Sequence, residues 1–407
     1  MSEPIPQGWK KEPLRNLAQV VSGGTPSRYA PEFWDRGTIP WVTPTDITGS
    51  NGRYLSETRE HITELGLHSC SAKLLPSGSL LMTSRATLGE VRIAVGEVCT
   101  NQGFKSLIPF KGVDGRFLFY QIGLNKERYK GLGIGSTFLE VNKRDTERFE
   151  VLVAPEREQR RIAEILSTLD EAIEQTEALI AKHQQIKAGL MHDLFTRGVT
   201  PDGHLRPTRE QAPDLYKESP LGWIPKEWEA RPLSSVFSVS SGESLSEANR
   251  KPGEHQVYGG NGLAGTHDSF TFVEPRLIIG RVGEYCGNPY VTDPKSWVTD
   301  NALVVSFYRT TRYLQFWRLL LQRIDLRRFA YAAAQPVVTG GQLGKVMHPV
   351  ISEDEQRQIE DRLLGIEQLV EAQQDHLSSL RQQKIGLMHD LLTGKIRVKI
   401  HEQQNTI

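Results

Sequence analysis

Two histidine–aspartate pairs are the first candidates for chemistry in this sequence. His192–Asp193 and His389–Asp390 both lie in the hexapeptide GLMHDL, which occurs twice in the 407-residue chain. A histidine oriented by a carboxylate can act as a general base toward a hydroxyl or thiol nucleophile. Adjacent residues of a helix point in different directions, however, and no nucleophile accompanies either pair. We therefore interpret both pairs as helix-capping or partner-contacting residues.

Two further stretches match catalytic motifs only in part. Residues 131–135, GLGIG, follow the charged NKERYK and not an apolar strand, which favours a turn over a phosphate-binding loop. Asn288-Pro289-Tyr290 resembles the N-P-P-[FY] loop of amino-methyltransferases but lacks its second proline. The sequence has no G-x-x-x-x-G-K-[ST] loop for ATP hydrolysis. These departures predict a protein that is not an enzyme and that binds no cofactor itself.

Cysteine usage and hydropathy narrow the class of protein. Cys70, Cys99 and Cys286 are odd in number and far apart, so we expect neither a disulfide framework nor a metal site. A reducing cytoplasm is the expected location. No apolar run approaches the ~18 residues that a membrane span needs, and MSEPIPQGWK lacks the apolar core of a signal peptide. We expect no membrane partner.

Charge alternates along the chain although the net charge is zero. Residues 1–150 hold 19 Lys+Arg against 16 Asp+Glu, and 229–350 hold 13 against 10. Residues 151–228 hold 10 against 13, and 351–407 hold 7 against 10. The surplus of three positive charges in two segments is compatible with phosphate contact, and equally with ordinary surface variation.

An internal repeat decides the architecture. PEREQRRIAEIL (155–166) matches SEDEQRQIEDRL (352–363), and the two GLMHDL copies follow at the same offset of 197 residues. A loop tolerates insertions, whereas one inserted residue rotates every later side chain of a packed helix by about 100°. The constant offset therefore predicts two long helices.

Apolar residues in both copies recur at alternating steps of three and four, which is a heptad-like pattern. In the first copy they are Ile162, Leu166, Leu169, Ile173, Ile180, Leu190 and Leu194; in the second, Ile359, Leu363, Ile366, Val370, Leu377, Leu387 and Leu391. Thr176, His183 and Lys187 complete the first seam, and Gln373 and Lys384 the second. Each helix would have about 40 residues, or ~60 Å. We expect the helices to pack on each other; two separate coiled-coil dimers are the alternative.

A second correspondence precedes each helix at a different offset. IPQGWKKEPL (5–14) resembles IPKEWEARPL (224–233), which places Trp9 opposite Trp228 with an offset of 219. The two helices therefore have the same length. The domain between Trp9 and the first helix is 22 residues longer than the domain between Trp228 and the second helix (219 − 197).

Glycine-broken apolar runs predict strands and hairpins in both intervening domains, and a helical pattern follows each. The predicted boundaries are a first mixed α/β domain at 1–154, a first helix at 155–198, a linker at 199–227 with little regular structure, a second domain at 228–351, a second helix at 352–394 and a tail at 395–407. The predicted fold class is α+β: two globular α/β domains separated and joined by two long antiparallel, coiled-coil-like helices, with pseudo-two-fold internal symmetry.

Two globular domains on rods of constant length suit a ligand that is itself a periodic rod. DNA is such a ligand, because half-site spacing follows from the internal geometry of the protein. The two domains share a plan but not a sequence, so the two half-sites should differ. These features predict an asymmetric, two-part target.

The doubled E-Q-x-x-I…K-x-G-L-M-x-D-L-[FL]-T-G helix and the SPLGWIPKEW entry to the second half resemble the specificity (S) subunit of type I restriction-modification enzymes. The resemblance covers nearly the whole chain and is most specific in the helices; the first helix departs from it by ending FTRGV. It implies that the globular domains are target recognition domains, each reading one half-site of double-stranded DNA. It further implies that the helices set the unread spacer and dock methyltransferase (M) subunits, usually two. S-adenosylmethionine would belong to the M subunit, and ATP and Mg to a restriction (R) subunit.

Base readout favours Arg for guanine and Asn or Gln for adenine, while Ser, Thr and Lys hold phosphates. In the first domain the predicted DNA-binding residues are Thr25, Ser27, Arg28, Arg85, Asn101, Gln102, Asn142 and Lys143. In the second they are Tyr258, Asn261, Arg281, Asn301 and Gln335. Each could equally be a turn or salt-bridge residue.

Two alternatives to this function remain open. The chain could be a protein-binding scaffold without a nucleic-acid ligand, which would bind its partner without a steep dependence on salt. It could also serve a methyltransferase-only or fused nuclease system.

Overall fold

The computed structural model describes residues 4–50, 52–134, 139–309, 313–331 and 336–399. The chain divides into two compact units: unit 1 comprises Met1–Ala178 and Gln374–Ile407, and unit 2 comprises Leu179–Gln373. The division falls within both long helices, so each unit contains a segment of each. The predicted domain boundaries instead treated the helices as separate parts of the chain.

The strands of unit 1 form a five-stranded sheet, a three-stranded sheet and a two-stranded ribbon, with orders β2-β9-β6-β7-β4, β5-β3-β8 and β1-β10. They are β1 Lys10–Pro13, β2 Ala18–Ser22, β3 Ile39–Val42, β4 Tyr54–Leu55, β5 Glu60–Ile62, β6 Leu80–Met82, β7 Val91–Ala94, β8 Cys99–Thr100, β9 Lys105–Pro109 and β10 Glu150–Val153. The helices are α1 Pro44–Gly49, α2 Glu64–His68, α3 Gly115–Leu124, α4 Lys126–Lys130, α5 Lys143–Arg148 and the start of α6 Glu156–Thr196. Short 3₁₀ turns lie at Leu14–Asn16 and Pro31–Phe33.

Unit 2 repeats this plan in a four-stranded sheet, a three-stranded sheet and two ribbons, with orders β14-β20-β17-β18, β16-β15-β19, β13-β21 and β11-β12. Its strands are β11 Tyr216–Ser219, β12 Gly222–Pro225, β13 Glu229–Pro232, β14 Phe237–Ser241, β15 His255–Gly259, β16 Gly262–His267, β17 Leu277–Gly280, β18 Pro289–Val291, β19 Trp297–Val298, β20 Ala302–Phe307 and β21 Met347–Val350. Its helices are α7 Leu314–Ile324, α8 Gly340–Leu343 and the start of α9 Glu353–Leu392, with 3₁₀ turns at Pro213–Leu215, Leu233–Ser235, Glu247–Asn249 and Leu326–Phe329.

Most strands of one unit have a counterpart in the other. β1 and β2 match β13 and β14 at the predicted offset of 219, and β10 matches β21 at 197. The extra residues of unit 1 lie mainly between β3 and β6, where α1, β4 and α2 have no counterpart among the described elements of unit 2. A difference in loop content therefore leaves the shared frame of strands unchanged.

The long helices pack side by side in antiparallel fashion within each unit. In unit 1, Lys384 and Arg381 of α9 pair with Asp170 and Glu177 of α6. In unit 2, His183 and Lys187 of α6 pair with Gln373 and Glu367 of α9. Partner numbers rise on one helix as they fall on the other, which confirms the predicted packing; separate coiled-coil dimers are not what the structure shows.

The predicted seam residues lie on the covered face of each helix. Ile162, Leu166, Ile173, Ile180, Leu194, Ile359, Leu363 and Leu391 are buried. Leu169, Leu190, Ile366, Val370, Leu377 and Leu387 are half-buried. α6 also packs on the globular part of unit 1, where Ile162 and Leu166 contact a core that includes Trp9, Phe117 and Tyr120. In unit 2, Leu194, Ile359 and Leu363 of the long helices belong to the same apolar cluster as the buried residues of β17 and β20.

Residues 199–227 are more regular than predicted. β11 and β12 form an antiparallel hairpin, paired from Tyr216 with Pro225 to Ser219 with Gly222. Gly222 has φ +86°, a left-handed value that a glycine adopts at little cost. Buried Tyr216 and Ile224 also hold the segment. The segment predicted as a linker therefore contains a short hairpin with packed side chains.

Candidate nucleic-acid interface

Thr25, Asn101 and Gln102 lie together at one end of the unit 1 strands. A Cβ atom on Gly23 would lie 2.1 Å from the Asn101 carbonyl oxygen, so only a glycine lets the loop after β2 approach the end of β8 so closely. The Gly24 amide donates to the Thr100 carbonyl oxygen at 2.9 Å. Thr25 Oγ1 then lies 2.5 Å from Gln102 Oε1. The loop thus presents a hydroxyl and an amide side by side.

Arg28, in the same loop, is held on two sides. Its guanidinium forms a two-pronged ion pair with Glu60, with Nη2 at 2.9 Å from Oε2, and it stacks 3.8 Å from the Trp34 ring centroid. The hydrogen bond from Arg28 lowers the pKa of Glu60 although burial opposes this. The Ser27 carbonyl oxygen accepts from Trp34 Nε1 at 2.9 Å, and the next residue, Tyr29, is 98% exposed. The held Arg28 loop therefore exposes the aromatic ring of Tyr29, which was not among the predicted DNA-binding residues.

Arg85 lies at a tight turn after β6, beside Glu140. Arg85 Nη2 is 2.8 Å from Glu140 Oε2, and Lys105 Nζ is 3.5 Å from the other carboxylate oxygen. Lys105 is buried and also donates to Ser84 Oγ at 3.2 Å. Burial lowers the pKa of Lys105, and Glu140 opposes that shift. Burial would raise the pKa of Glu140, but Arg85 and Lys105 together lower it.

Asn142 and Lys143 begin α5. Asn142 is the N-cap, since its Oδ1 accepts from the Asp145 amide at 2.9 Å, and Lys143 Nζ lies 3.6 Å from Glu147. Thr339 caps α8 in the same way at the matched position of unit 2. A helix cap therefore accounts for Asn142 structurally, and its DNA contact stays a prediction.

Arg281, Asn301 and Asn261 converge at the corresponding strand ends of unit 2. The Arg281 amide donates to the Asn301 carbonyl oxygen at 2.9 Å, and Arg281 Nη1 lies 3.3 Å from Ser241 Oγ. Asn261 is exposed in the turn between β15 and β16, next to Gly260, where a Cβ atom would lie 3.0 Å from the Asn301 carbonyl oxygen. Gln335 lies outside the described residues.

Tyr258 is buried. Its hydroxyl donates to Asp293 Oδ2 at 3.0 Å, and burial raises its pKa. The side chain borders a cavity of about 420 Å³ with Tyr290, Arg318 and Glu367. Direct contact of Tyr258 with DNA stays a prediction.

Strand register shows which positions of the two units correspond. Val141 donates to the Ser84 carbonyl oxygen, and Val338 donates in the same way to Arg281. Arg85 and Val282 each form the next bridge, to Glu140 and Val337. Arg281 therefore matches Ser84, and Arg85 matches Val282, so the two predicted arginines are displaced by one residue in register.

Each helix pair carries an acid–lysine contact at matched positions. Asp170 Oδ1 lies 2.5 Å from Lys384 Nζ in unit 1, and Glu367 Oε1 lies 2.7 Å from Lys187 Nζ in unit 2. Tyr120 donates to Asp170 at 2.6 Å. Each contact thus links the helices of its unit to one another, and Tyr120 extends the link to the globular part of unit 1.

Arg53 adds to this network from the inserted segment of unit 1. It is buried and lies within 3.7 Å of Asp170, Glu171 and Glu174. In unit 2, Arg318 of α7 takes the comparable place at 2.5 Å from Glu367. Burial would raise the pKa of Glu367, but Arg318 and Lys187 lower it. Lys187 and Lys384 could be predicted from the repeat. Arg53 and Arg318 could not, because they come from parts of the two units that do not correspond.

A second repeated group was missed from sequence. Glu355, buried in the first turn of α9, accepts from Trp228 Nε1 at 3.0 Å and pairs with buried Arg206. In unit 1, Glu158 of α6 accepts from Trp9 Nε1 at 3.2 Å and pairs with Arg397. The signal was present, since both tryptophans and both glutamates belong to the matched segments.

The two histidine–aspartate pairs have different surroundings. His192 Nδ1 lies 3.2 Å from Arg323 Nη2, and Asp193 pairs with Arg197 at 3.3 Å. His389 is exposed beside Asp390. Within the described residues there is no group of three His, Cys, Asp or Glu side chains placed to hold a metal ion. Nor does any described helix combine the length and apolar character that crossing a bilayer would need.

Comparison with known proteins shows what the N-terminal part of the chain is similar to. Residues 6–184 match the family described as type I restriction modification DNA specificity domain. This part of the chain is therefore similar to such a specificity domain. The chain is also 32% identical over 242 residues to the specificity subunit of the type I restriction enzyme MjaIX of Methanocaldococcus jannaschii, covering 59% of this chain and 54% of that subunit. It spans about half the length of that relative.

Other known proteins match this chain over more of its length. The EcoprrI specificity subunit of Escherichia coli is 26% identical over 343 residues, which cover 81% of this chain and 80% of that subunit. The crystal structure of a type I restriction-modification S subunit from M. genitalium has a TM-score of 0.65 at 17% identity and covers 98% of both chains. These matches confirm the predicted resemblance and the fold.

Proposed function

We propose that the chain is the DNA-sequence-recognition subunit of a type I restriction-modification complex, without catalytic activity of its own. Unit 1 and unit 2 would each read one half of an asymmetric, two-part site in double-stranded DNA. The paired helices would fix the unread spacer and dock two M subunits, and R subunits would join through that complex. S-adenosylmethionine would then be bound by the M subunits, and ATP and Mg by the R subunits.

One observation carries this proposal: both units repeat one strand frame, yet differ in the side chains at its matched ends. Arg85 and Glu140 of unit 1 stand where unit 2 has Val282 and Val337. Two domains that share a strand frame but carry different side chains at one edge are suited to recognising two different base sequences. The loop that carries Gly23 is repeated as well, since a Cβ atom on Gly242 would lie 2.4 Å from the Thr299 carbonyl oxygen.

Exposed apolar side chains on the helices support the docking role. Leu179, Ile186 and Leu369 in unit 2 and Ile385 in unit 1 are exposed. Burial of such side chains against a protein partner would be favourable by about 1.5–3 kcal/mol each when complete. Leu190 and Leu387 are less suitable probes, because each packs against the core of its own unit.

Ile186→Glu tests docking, with Gln185→Glu as the matched control because it adds the same charge at an adjacent exposed position. We expect Ile186→Glu to weaken co-purification with the M subunit while the control does not. Equal recovery of both variants would contradict the docking role of this face.

Binding of the full chain and its M subunit to duplex DNA at increasing salt tests the reading role. A complex that neutralises six to ten phosphates loses about 10³- to 10⁵-fold in affinity between 50 and 200 mM salt. Binding of a protein partner that persists across this range, without any duplex binding, would instead identify a protein scaffold.

A further inference from the structure

The turn that carries Arg85 is strained. Ala86 has φ +58°, a left-handed conformation that residues with a Cβ atom rarely adopt. The matched residue of unit 2 is Gly283, with φ +84°, which a glycine adopts without penalty. Strained backbone persists where the surroundings impose it, and it concentrates at functional sites. Arg85 immediately precedes the strained residue, so its side chain is a candidate functional group of this turn.

Arg85 and Glu140 are both accessible, whereas the group behind them is not. The side chains of Arg85 and Glu140 are 44% and 34% exposed, and that of Lys105 is 6% exposed. One Glu140 oxygen faces Arg85 and the other faces Lys105. The Glu140 carboxylate therefore pairs with the buried Lys105 ammonium group through one oxygen and with the accessible Arg85 guanidinium through the other.

Unit 2 replaces this whole group at matched positions. Arg85 and Glu140 become Val282 and Val337. The register of β2 with β9, and of β14 with β20, places Leu303 opposite Ser241 as Lys105 lies opposite Ser22. The charged trio of unit 1 is thus an apolar trio in unit 2. A scaffold role common to both units would not need this coordinated difference.

The carboxylate limits what Arg85 can bind. A guanidinium has five N–H donors, so an arginine that gives Nη2 to Glu140 retains donors for a second acceptor pair. A phosphate would bring negative charge close to Glu140, which disfavours it. A guanine edge is neutral and offers two acceptors, O6 and N7, that match the guanidinium fork.

We infer that Arg85 reads a guanine in the major groove of the half-site bound by unit 1, and that Glu140, anchored by Lys105, is the residue that positions it. This inference rests on the proposed function and adds to it a specific base. Unit 2 makes no equivalent contact from the matched position, because Val282 offers only apolar surface there. The guanine contact is therefore a property of one half-site alone.

Selection from a pool of randomised duplexes tests this, with the full chain and its M subunit and with sequencing of the bound DNA. For Arg85→Ala we expect one guanine preference in one half-site to fall by about 5- to 150-fold, with the other half-site unchanged. For Glu140→Gln we expect that preference to fall as well, while affinity for unrelated duplexes rises and the salt dependence steepens by about one phosphate contact. Val282→Ala is the matched control and should leave this guanine preference intact.

The outcomes separate this inference from the proposed function. Failure of the wild-type complex to select any sequence would remove both. Selection of a two-part site by the wild type, with a uniform loss of affinity across all sequences in Arg85→Ala, would identify a phosphate contact and overturn the inference alone. Unchanged melting temperatures for both unit 1 variants would exclude misfolding as the cause, and Arg85→Lys should restore affinity without restoring the full guanine preference.

Discussion

Removal of the buried carboxylate at the start of each long helix should have unequal consequences in the two units. Glu355→Ala and Glu158→Ala delete matched residues, each of which accepts from a tryptophan N–H and pairs with an arginine. The two sites differ in the arginine. Arg206 is 7% exposed and Arg397 is 42% exposed.

The difference in exposure sets the expected magnitudes. Without Glu355, the one counter-charge left to buried Arg206 among the described residues is the exposed Glu227, and the Val199 amide also loses its acceptor. Removing one partner of a buried ion pair costs about 3–5 kcal/mol of unfolding free energy. Without Glu158, Arg397 can rehydrate, so the main loss is the buried Trp9 N–H, which costs about 1–3 kcal/mol.

Urea unfolding followed by hydrogen exchange would measure each unit separately, because a chain of two units need not unfold in one step. Peptides around Glu355 and Glu158 report the local free energies. Glu355→Gln serves as a control that keeps the shape and removes only the charge. A loss in Glu158→Ala equal to or larger than that in Glu355→Ala would refute the reasoning.

Three further outcomes are expected. Burial lowers the pKa of His348, so below pH 6.5 the unfolded chain binds a proton that the folded chain does not. The unfolding free energy should therefore fall as the pH decreases, by at most about 1.4 kcal/mol per pH unit. His348→Val, which introduces the valine found at the matched position of β10, should remove this decrease in urea titrations. Four residues inserted after Ala181 and four after Gln374 should lengthen both helices by about 6 Å. The spacer should then grow by at most about two base pairs, without a change in either half-site. Insertion at one position only should reduce stability, because the acid–lysine contact of one unit then loses register. Exchange of residues 10–150 for those of another family member should change one half-site only, as read by methylation mapping; a change in both would show that the units do not read independently.

The helices were predictable in detail because their physics is local and periodic. The constant offset of 197 residues and the three–four spacing both follow from packing along one face, and α6 and α9 have 41 and 40 residues. Lys187 and Lys384 were recognised as polar seam members, but their acid partners were not. A salt bridge between antiparallel helices joins residues that are far apart in sequence, so spacing alone does not indicate it.

The strand ends were predictable only approximately. T-N-Q at 100–102 resembles T-D-N at 299–301, yet the hydrogen bonds place Asn101 with Thr299 and therefore Gly103 with Asn301. A shift of one residue reverses the face of every side chain in a strand, and short, glycine-broken strands give little pattern to fix it. For the same reason the Arg85–Glu140 contact, which joins residues 55 apart (140 − 85), left no sequence signal.

Methylation mapping of a host that carries this chain with its M subunit tests the central claim most directly. The account predicts a single two-part motif, whose unlike half-sites are separated by an unread spacer of constant length. One uninterrupted motif, or no modified sequence that depends on this chain, would contradict it.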